Sequence, residues 1–346
     1  MDAVTELGDE GLRTVATDLL DVQVTGLERV GGGGNNRLYK LAATDDTFYA
    51  LKAYLETADD PRDRLGAEFA GLRFLWRHGV RCVPRPIAHD RMRGLAIYDW
   101  IDGEPVGLHG TGDIDAVLRF VTELAGLSDL PATQELAEAS EACLSLRELG
   151  EQLRRRLNRL QTVERGDLSN YLDRDFLPLL DAHWCNALDA AEIAGIEAEQ
   201  ILAAERQTLS PSDLGFHNAI RRPDGDLCFV DFEYFGRDDP VKLTADFLLH
   251  PAMELDDQVR RQFLAGCRQA FRGDPLFDTR LRLTYPLYAL RWCLILLNEF
   301  LPERWARRRF AAPDRDRDDL LMRQLDLARG MLRRVNDVHG GVFNDD

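Results

Sequence analysis

The sequence predicts an α+β fold with two lobes, a small β-rich N-terminal lobe carrying one helix and a larger, mainly helical C-terminal lobe. Length is the first observation, because 346 residues are too many for one small core. The second is a change of hydrophobic period, from strand-like segments before residue 100 to helical spacing after residue 112. We therefore expect the lobes to span residues 1–100 and 101–346.

Strands and one helix account for the first lobe. β-branched and aromatic residues predict strands at "VQVTGLERV", "RLYKLAA" and "TFYALKAY", with "GGGGNN" between the first two. Residues 62–78 change to helical spacing, with Leu65, Phe69 and Leu72 on one face. "PIAHD" and "GLAIYDW" predict two further strands, and "IDGEPV" predicts a connector near residues 98–104.

The second lobe carries apolar residues at helical spacing in six segments, namely 113–127, 141–163, 175–206, 254–271, 276–300 and 315–338. Residues 208–232 interrupt this pattern. They predict a loop followed by two short strands, "NAIRR" and "LCFVDF", joined by the turn "PDGD".

Composition excludes several classes of partner. The net charge of -17 and pI of about 4.9 would repel a phosphate backbone, so we expect no nucleic-acid partner. No run of 18 apolar residues is present, so we expect no membrane partner. The acidic start "MDAVTELGDEGL" does not resemble a signal peptide, and we expect a cytoplasmic protein. The oligomeric state stays open.

The glycine run and two charged residues in the first lobe suggest phosphate binding. Glycines bring backbone amides close to phosphate oxygens, although a flexible hairpin turn explains the run equally well. Lys52 lies in the strand "YALKAY" and Glu68 on the following helix. A strand lysine fixed by a helix carboxylate is what phosphoryl transfer needs. The alternatives are a solvent-facing lysine and a solvated helix charge.

The loop and hairpin carry the strongest cluster. Asp213, Asn218 and Asp231 occur in "SPSDLGFHNAI" and "CFVDFEYFG". An Asn carbonyl and an Asp carboxylate are hard oxygen ligands that suit Mg²⁺, which uses few protein carboxylates together with substrate phosphates. Asp213, ahead of both, is placed to orient or deprotonate a hydroxyl. Turn residues without chemistry are the alternative.

In this order and spacing the residues resemble the aminoglycoside phosphotransferase and choline kinase family, over most of residues 25–250. "SDLGFHN" and "VDFEYFG" are similar to its catalytic loop and metal-binding strand end, and "IYDWIDGEP" to its interlobe linker. The resemblance implies a bilobal protein-kinase-like fold, with ATP and Mg²⁺ as cofactors. The implied nucleotide-binding residues are Gly32, Gly33, Gly34, Lys52, Glu68, Asp99 and Ile101. Asp213 would be catalytic, and Asn218 and Asp231 would bind the metal.

The resemblance also implies an ATP-dependent transfer to a hydroxyl of a small molecule, such as a sugar, amino sugar, aminocyclitol or choline-like alcohol. Glu233, Trp292 and Glu299 are the candidate acceptor contacts. Pro211 stands where the family has a His, a departure that keeps a nucleotide-binding pseudokinase or regulatory protein open as the alternative. A protein kinase is disfavoured because its His-Arg-Asp, Asp-Phe-Gly and Ala-Pro-Glu set is missing.

Overall fold

The computed structural model describes residues 3–31, 36–54, 62–107, 110–304, 317–341 and 343. They form two compact units, and each is discontinuous in sequence. The first combines Met1–Glu141 with Leu209–Arg237, and the second combines Ala142–Thr208 with Asp238–Asp346. The predicted division into residues 1–100 and 101–346 stays a prediction. The first compact unit differs from the predicted N-terminal lobe in that it also includes residues 101–141 and 209–237.

A five-stranded antiparallel sheet is the centre of the first unit. Its strands are β1 (Val24–Val30), β2 (Asn36–Ala43), β3 (Phe48–Tyr54), β4 (Pro86–Asp90) and β5 (Leu95–Asp99). They are arranged in the order β1-β2-β3-β5-β4. All five agree with the strand predictions to within two residues at each end. Lys52 lies on the central strand, opposite Leu38 on one side and Ala96 on the other.

The two faces of β3 have different surroundings. Leu51 and Ala53 belong to a buried cluster with Leu12 and Ala16 of an N-terminal helix, α1 (Ala3–Leu20). Because side chains alternate along a strand, Lys52 and Tyr54 point to the opposite face. The apolar face is covered by α1, so the polar face is the one left to build a site. The sequence predicted one helix in this part of the chain and missed α1.

The helix that follows the sheet, α2 (Arg64–Arg77), carries Glu68 on its buried side together with Leu65, Phe69 and Leu72. It starts where the side chain of Asp63 accepts a hydrogen bond from the Gly66 amide at 2.8 Å, which satisfies an otherwise unpaired N–H of the first turn. It ends before Gly79, whose φ of 92° stops helical backbone.

The rest of the first unit comprises α3 (Thr111–Ser128) and short strands: β6 (Glu104–Pro105), β8 (Ala219–Arg221) and β9 (Leu227–Phe229). These strands pair in the order β6-β8-β9. The predicted hairpin is therefore present as β8 and β9. Its turn closes through the Arg222 amide, which donates to the Asp226 carbonyl at 2.9 Å, and Gly225 supplies the positive φ of 91°. Strands β7 (Thr208–Ser210) and β10 (Gly236–Asp238) lie at the sequence boundaries between the units.

The second unit is helical. Its helices are α4 (Leu146–Gln161), α5 (Gly166–Asn170), α6 (Leu177–Ile193), α7 (Pro240–Leu249), α8 (Asp257–Ala270), α9 (Phe277–Leu296) and α10 (Arg317–Gly341). A π-helical segment, Tyr171–Phe176, joins α5 to α6. Helix α9 packs against α4, α6, α7 and α10, and it is buried without a break from Thr284 to Leu294. No helix among the described residues is long and apolar enough to cross a membrane.

Two helix predictions for this unit need correction. The segment 175–206 was predicted to be helical throughout, but α6 ends at Ile193, because Gly195 takes φ 68° and the Ile196 amide donates back to the Ala191 carbonyl at 2.8 Å. Helix α7 was not predicted. All ten of its residues are buried, so it lacks the alternation of polar and apolar faces from which a helix is predicted.

A buried ion cluster lies where α7 and α9 pack together. Lys242 is wholly buried and donates to Asp238 at 2.8 Å, with Asp246 at 3.2 Å. Arg291 lies 3.0 Å from the other oxygen of Asp246. Two carboxylates and two cations thus balance in charge, as buried ions must if they are to avoid a large desolvation penalty.

Candidate active site

Lys52 is the centre of the polar face of the sheet. Its ammonium lies 2.6 Å from Glu68 Oε2 and 2.6 Å from Asp231 Oδ1, and it is 13% exposed. Although burial opposes the charge, the carboxylates of Asp231 and Glu68 hold the pKa of Lys52 well above its usual value. The lysine is therefore a fixed cation between two carboxylates, and the solvent-facing alternative is wrong.

Glu68 faces Lys52 from the buried side of α2, so its alternative as a solvated helix charge is also wrong. The carboxyl group is 5% exposed. Burial raises its pKa, against the opposing attraction of Lys52. Helix α2 packs closely against the segment that follows Asp231. A Cβ atom on Gly71 would lie only 2.3 Å from the ring of Phe235. Only a glycine permits that approach.

Asp231 follows β9 and takes a backbone conformation that is uncommon for residues other than glycine. Its φ is 68°, in the left-handed region that disfavours residues with a Cβ. Such a residue costs roughly 1–3 kcal/mol, and it persists where the surroundings impose it, often at functional sites. The side chain is 40% exposed. One of its oxygens contacts Lys52 while the group stays open to a ligand.

The loop before β8 gathers Asp213, His217 and Asn218. The Asn218 amide nitrogen donates to the Asp213 backbone oxygen at 3.0 Å and to its carboxylate at 3.2 Å. His217 Nε2 lies 3.2 Å from the other carboxylate oxygen. Ser212, directly before Asp213, has φ 64°. Both carboxylate oxygens of Asp213 are therefore oriented by neighbours, on a second strained stretch of backbone.

The oxygens around the hairpin suit a divalent cation. The Val230 amide donates to the Asn218 carbonyl at 2.9 Å, so the residue before Asp231 is tied directly to Asn218. The side-chain nitrogen of Asn218 donates to Asp213, so the side-chain oxygen of Asn218 points away from Asp213. One amide oxygen and one carboxylate, with few further charges, form a donor set that fits Mg²⁺ bound together with phosphates.

Glu233 is placed differently from the other candidate acceptor contacts. It is 2% exposed, accepts a hydrogen bond from Asn36 at 2.6 Å, and lies 3.9 Å from the Arg64 guanidinium. Despite burial, the cations of Lys52 and Arg64 hold its pKa below the usual value. Asn36 is the first described residue after the glycine run. Glu233 thus joins the start of β2 to the start of α2, and its role as an acceptor contact stays a prediction.

Some of the other residues predicted to bind the nucleotide lie outside the described residues. Gly32, Gly33 and Gly34 lie outside the described residues. Asp99 ends β5, and its amide donates to the Arg85 carbonyl at 2.9 Å. Ile101 follows in the connector and is half-buried. The assignment of Asp99 and Ile101 to nucleotide binding stays a prediction.

Trp292 and Glu299 belong to the second unit. Trp292 is 8% exposed, and its indole nitrogen donates to Asp246 at 3.0 Å. Glu299 is half-buried in a short 3₁₀ helix, Leu297–Phe300, at the end of α9. Both assignments as acceptor contacts stay predictions.

Two tyrosines belong to the site although the sequence gave no reason to select them. The Tyr54 hydroxyl donates to Glu68 Oε2 at 2.7 Å, and it lies 2.8 Å from the Tyr98 hydroxyl. The available signal was alternation, since Tyr54 is two residues from Lys52 and shares its face. Nothing in the sequence indicates which partner the hydroxyl meets.

Comparison with known proteins gives one family and many similar folds. A model of the phosphotransferase enzyme family matches residues 26–280. No curated protein matches the sequence. Among solved structures, a spectinomycin phosphotransferase in complex with ADP and spectinomycin aligns with a TM-score of 0.62 at 11% identity, covering 93% of this chain and 98% of that one.

Two further solved structures represent other members of this set. A choline kinase from Streptococcus pneumoniae has a TM-score of 0.58 at 16% identity, and covers 94% of this chain and 98% of that one. An amicoumacin kinase, solved with AMP-PNP and Ca²⁺, has a TM-score of 0.59 at 14% identity, and covers 99% and 97%. At these identities the likeness concerns the fold. The predicted protein-kinase-like fold class and the predicted family are confirmed.

Proposed function

The chain belongs to the phosphotransferase enzyme family, and on that premise we propose that it transfers the γ-phosphoryl group of ATP, with Mg²⁺, to a hydroxyl group of a small molecule. The observation that carries this proposal is the position of Lys52, 2.6 Å from both Glu68 and Asp231. A lysine held in this way by a helix carboxylate suits the α- and β-phosphates, and the adjacent aspartate suits the metal that accompanies them.

The catalytic work assigned to this chain is positioning and charge neutralisation. Lys52 would bind the α- and β-phosphates while Glu68 keeps the ammonium in place. Asn218 and Asp231 would hold Mg²⁺, which when bound neutralises charge on the phosphate oxygens. Holding two reactants in line removes much of the entropic barrier of a bimolecular step, so little covalent chemistry is asked of the protein.

Asp213 would accept the proton of the acceptor hydroxyl, or hold that hydroxyl in line with the phosphoryl group. Its carboxylate is oriented by Asn218 at 3.2 Å and by His217 at 3.2 Å. A positioned carboxylate of this kind typically contributes about 10²–10⁴ in rate. Because Asn218 serves both Asp213 and the metal, the base and the metal site share one geometry.

The acceptor class rests on the relatives. The similar structures include enzymes named for spectinomycin, choline and amicoumacin. An amino sugar, aminocyclitol, sugar or choline-like alcohol is thus the class of acceptor that we propose, with Glu233, Trp292 and Glu299 as its candidate contacts. The net charge of -17 would favour a cationic acceptor at long range.

Direct transfer tests the proposal. The protein would be incubated with Mg-ATP and pooled small hydroxyl compounds, and products would be separated and weighed by mass spectrometry. We expect one class of compound to gain the mass of a phosphoryl group, with a matching release of ADP. The matched control is Asp213→Asn, which keeps the size of the side chain. Product formation at the wild-type rate in this variant would contradict the assignment of Asp213.

One observation favours a second function, a nucleotide-binding regulatory protein. Pro211 occupies the position of the family histidine, and a proline cannot supply the hydrogen bonds of an imidazole. Under this alternative, Mg-ATP would raise the melting temperature while no acceptor is phosphorylated in any pool. Transfer to any small molecule at a rate that depends on Asp213 would exclude it.

A further inference from the structure

Two buried tyrosines lie behind the Lys52–Glu68 pair and have no role in the transfer step described above. Tyr54 and Tyr98 are each 4% exposed. Tyr54 is on β3, two residues after Lys52, and Tyr98 is on β5, directly before Asp99. Their hydroxyls are 2.8 Å apart, and that of Tyr54 reaches Glu68 Oε2 at 2.7 Å. A hydrogen-bonded chain thus runs from β5 to the carboxylate that holds Lys52.

The direction of these hydrogen bonds follows from the groups. A tyrosine hydroxyl has one hydrogen, and an ionised carboxylate has none to give. The single hydroxyl hydrogen of Tyr54 is therefore donated to Glu68. The hydrogen bond between the two tyrosines must then be donated by Tyr98 to the Tyr54 oxygen. Hydrogen bonds arranged head to tail in this way strengthen one another in a low-dielectric interior. Lys52 and Tyr54 also converge on the same carboxylate oxygen, Oε2.

A second donor matters because Lys52 is shared. Its ammonium is 2.6 Å from Asp231 as well as from Glu68, and under the proposed function it must also reach phosphate oxygens. The Glu68 side chain is 5% exposed, so its carboxylate is strongly destabilised when its charged partner moves away. A hydroxyl that stays in place would keep Glu68 oriented while the lysine turns towards the nucleotide.

We propose that Tyr54 is a positioning residue for phosphoryl transfer, which holds the Glu68 carboxylate so that Lys52 is presented to the nucleotide phosphates, and that Tyr98 orients Tyr54 for this role. The inference rests on the proposed function. It assigns to Tyr54 an effect on nucleotide binding that passes entirely through Glu68. A purely structural tyrosine would instead change stability and leave nucleotide binding unaltered.

A double-mutant cycle separates these cases. Mg-ATP binding would be measured by calorimetry for wild type, Tyr54→Phe, Glu68→Gln and the double variant. Hydrogen bonds to charged groups are among the stronger ones, so Tyr54→Phe should weaken Mg-ATP binding by about tenfold or more. In the Glu68→Gln background the same change should have almost no further effect. In turnover, KM for Mg-ATP should rise while KM for the acceptor stays unchanged.

Two further variants guard against a folding defect. Tyr39→Phe is the matched control, because Tyr39 is a 5% exposed tyrosine of the same sheet that packs in the apolar cluster with Leu12 and Leu41. It should leave Mg-ATP binding unchanged. Tyr98→Phe should weaken binding less than Tyr54→Phe, and combining the two should be no worse than Tyr54→Phe alone.

The possible results distinguish failure of the Tyr54 positioning role from failure of the proposed phosphotransferase function. Wild-type affinity in Tyr54→Phe, a loss matched by Tyr39→Phe, or an undiminished loss in the Glu68→Gln background would each overturn this inference alone. A wild-type protein that binds no Mg-ATP would overturn the proposed function and this inference together. Unchanged affinity in Tyr98→Phe would remove Tyr98 from the proposal and leave Tyr54 in it.

Discussion

Replacing Lys242 by methionine should destabilise the protein through the carboxylates left behind. Lys242 is 0% exposed and lies within 3.2 Å of both Asp238 and Asp246. Methionine fills most of the space of the lysine stem but carries no charge. Arg291 remains beside Asp246, so the buried cluster changes from balanced to one excess negative charge. Asp238, also 0% exposed, is the group that loses its counter-ion.

The size of the loss follows from burial. Removing one partner of a buried ion pair costs about 3–5 kcal/mol, since the other charge stays out of water. For a unit of this size one kcal/mol lowers Tm by about 2–4 °C, so the variant should melt about 6–20 °C below wild type. Calorimetry or circular dichroism on heating measures this. The matched control is Arg93→Met, because Arg93 is half exposed and pairs with Asp90 at the surface, where such pairs are worth about 1 kcal/mol or less.

The deficit should also depend on pH with a definite sign. Burial raises the pKa of Asp238 even with Lys242 beside it, and loss of Lys242 raises that pKa further. The folded variant then holds a proton on Asp238 at pH values where the same carboxyl group is already ionised in the unfolded chain. Its free energy of unfolding therefore falls as pH rises from the pKa of Asp238 in the unfolded chain to its higher pKa in the folded variant. Compared with wild type, Lys242→Met should lose less stability near pH 5 than near pH 8.

A second-site change tests whether charge is the cause. Asp238→Asn added to Lys242→Met restores charge balance, and it keeps an acceptor for the Asp239 and Cys143 amides, which donate to Asp238 at 2.8 and 3.2 Å. The double variant should melt above the single one. A double variant that is less stable, or equal shifts for Lys242→Met and Arg93→Met, would refute the reasoning.

Three predictions concern the site. Asp213→Asn should lower kcat by about 10²–10⁴ while calorimetry finds nucleotide affinity unchanged, and wild-type turnover would remove Asp213 from the mechanism. Asp231→Ala should abolish the gain in ATP affinity that Mg²⁺ provides, because it removes the charged ligand proposed for the metal; a full Mg²⁺ effect would make Asp231 a strand-end residue only. Lys52→Ala and Glu68→Ala should each reduce kcat/KM, and the double variant should lose little more than the worse single one. Additive losses would mean that the pair does not act as a unit.

Much of the fold and of the site could be predicted because local patterns carry them. β-branched and aromatic residues predicted β3, and helical spacing predicted α2 with its apolar face. Once both elements are in place, the choice of Lys52 and Glu68 needs only one further idea, that a strand lysine in a phosphotransferase requires a helix carboxylate. Their 2.6 Å contact agrees with that reasoning.

The parts that could not be predicted depend on which surfaces meet. Tyr54 was not selected from the sequence because its proposed role depends on its hydroxyl group, whose partners lie on α2 and β5. A strand pattern does not indicate which residues of other elements a side chain contacts. The family resemblance implied Glu233 as an acceptor contact, and that role stays a prediction; its described partners include Asn36 and Arg64. Helix α7 was missed for the opposite reason, since burial on all sides removes the periodicity itself.

The discontinuity of the first unit has a consequence for biosynthesis. Residues 209–237 complete that unit, but the ribosome makes them only after residues 142–208. At ~5–20 residues per second the delay between residues 141 and 237 is on the order of ten seconds. During that time α2 lacks the Phe235 ring that packs on Gly71, and Lys52 lacks Asp231. A nascent chain halted in this interval would leave the Gly71 surface of α2 and the Lys52 ammonium without these partners.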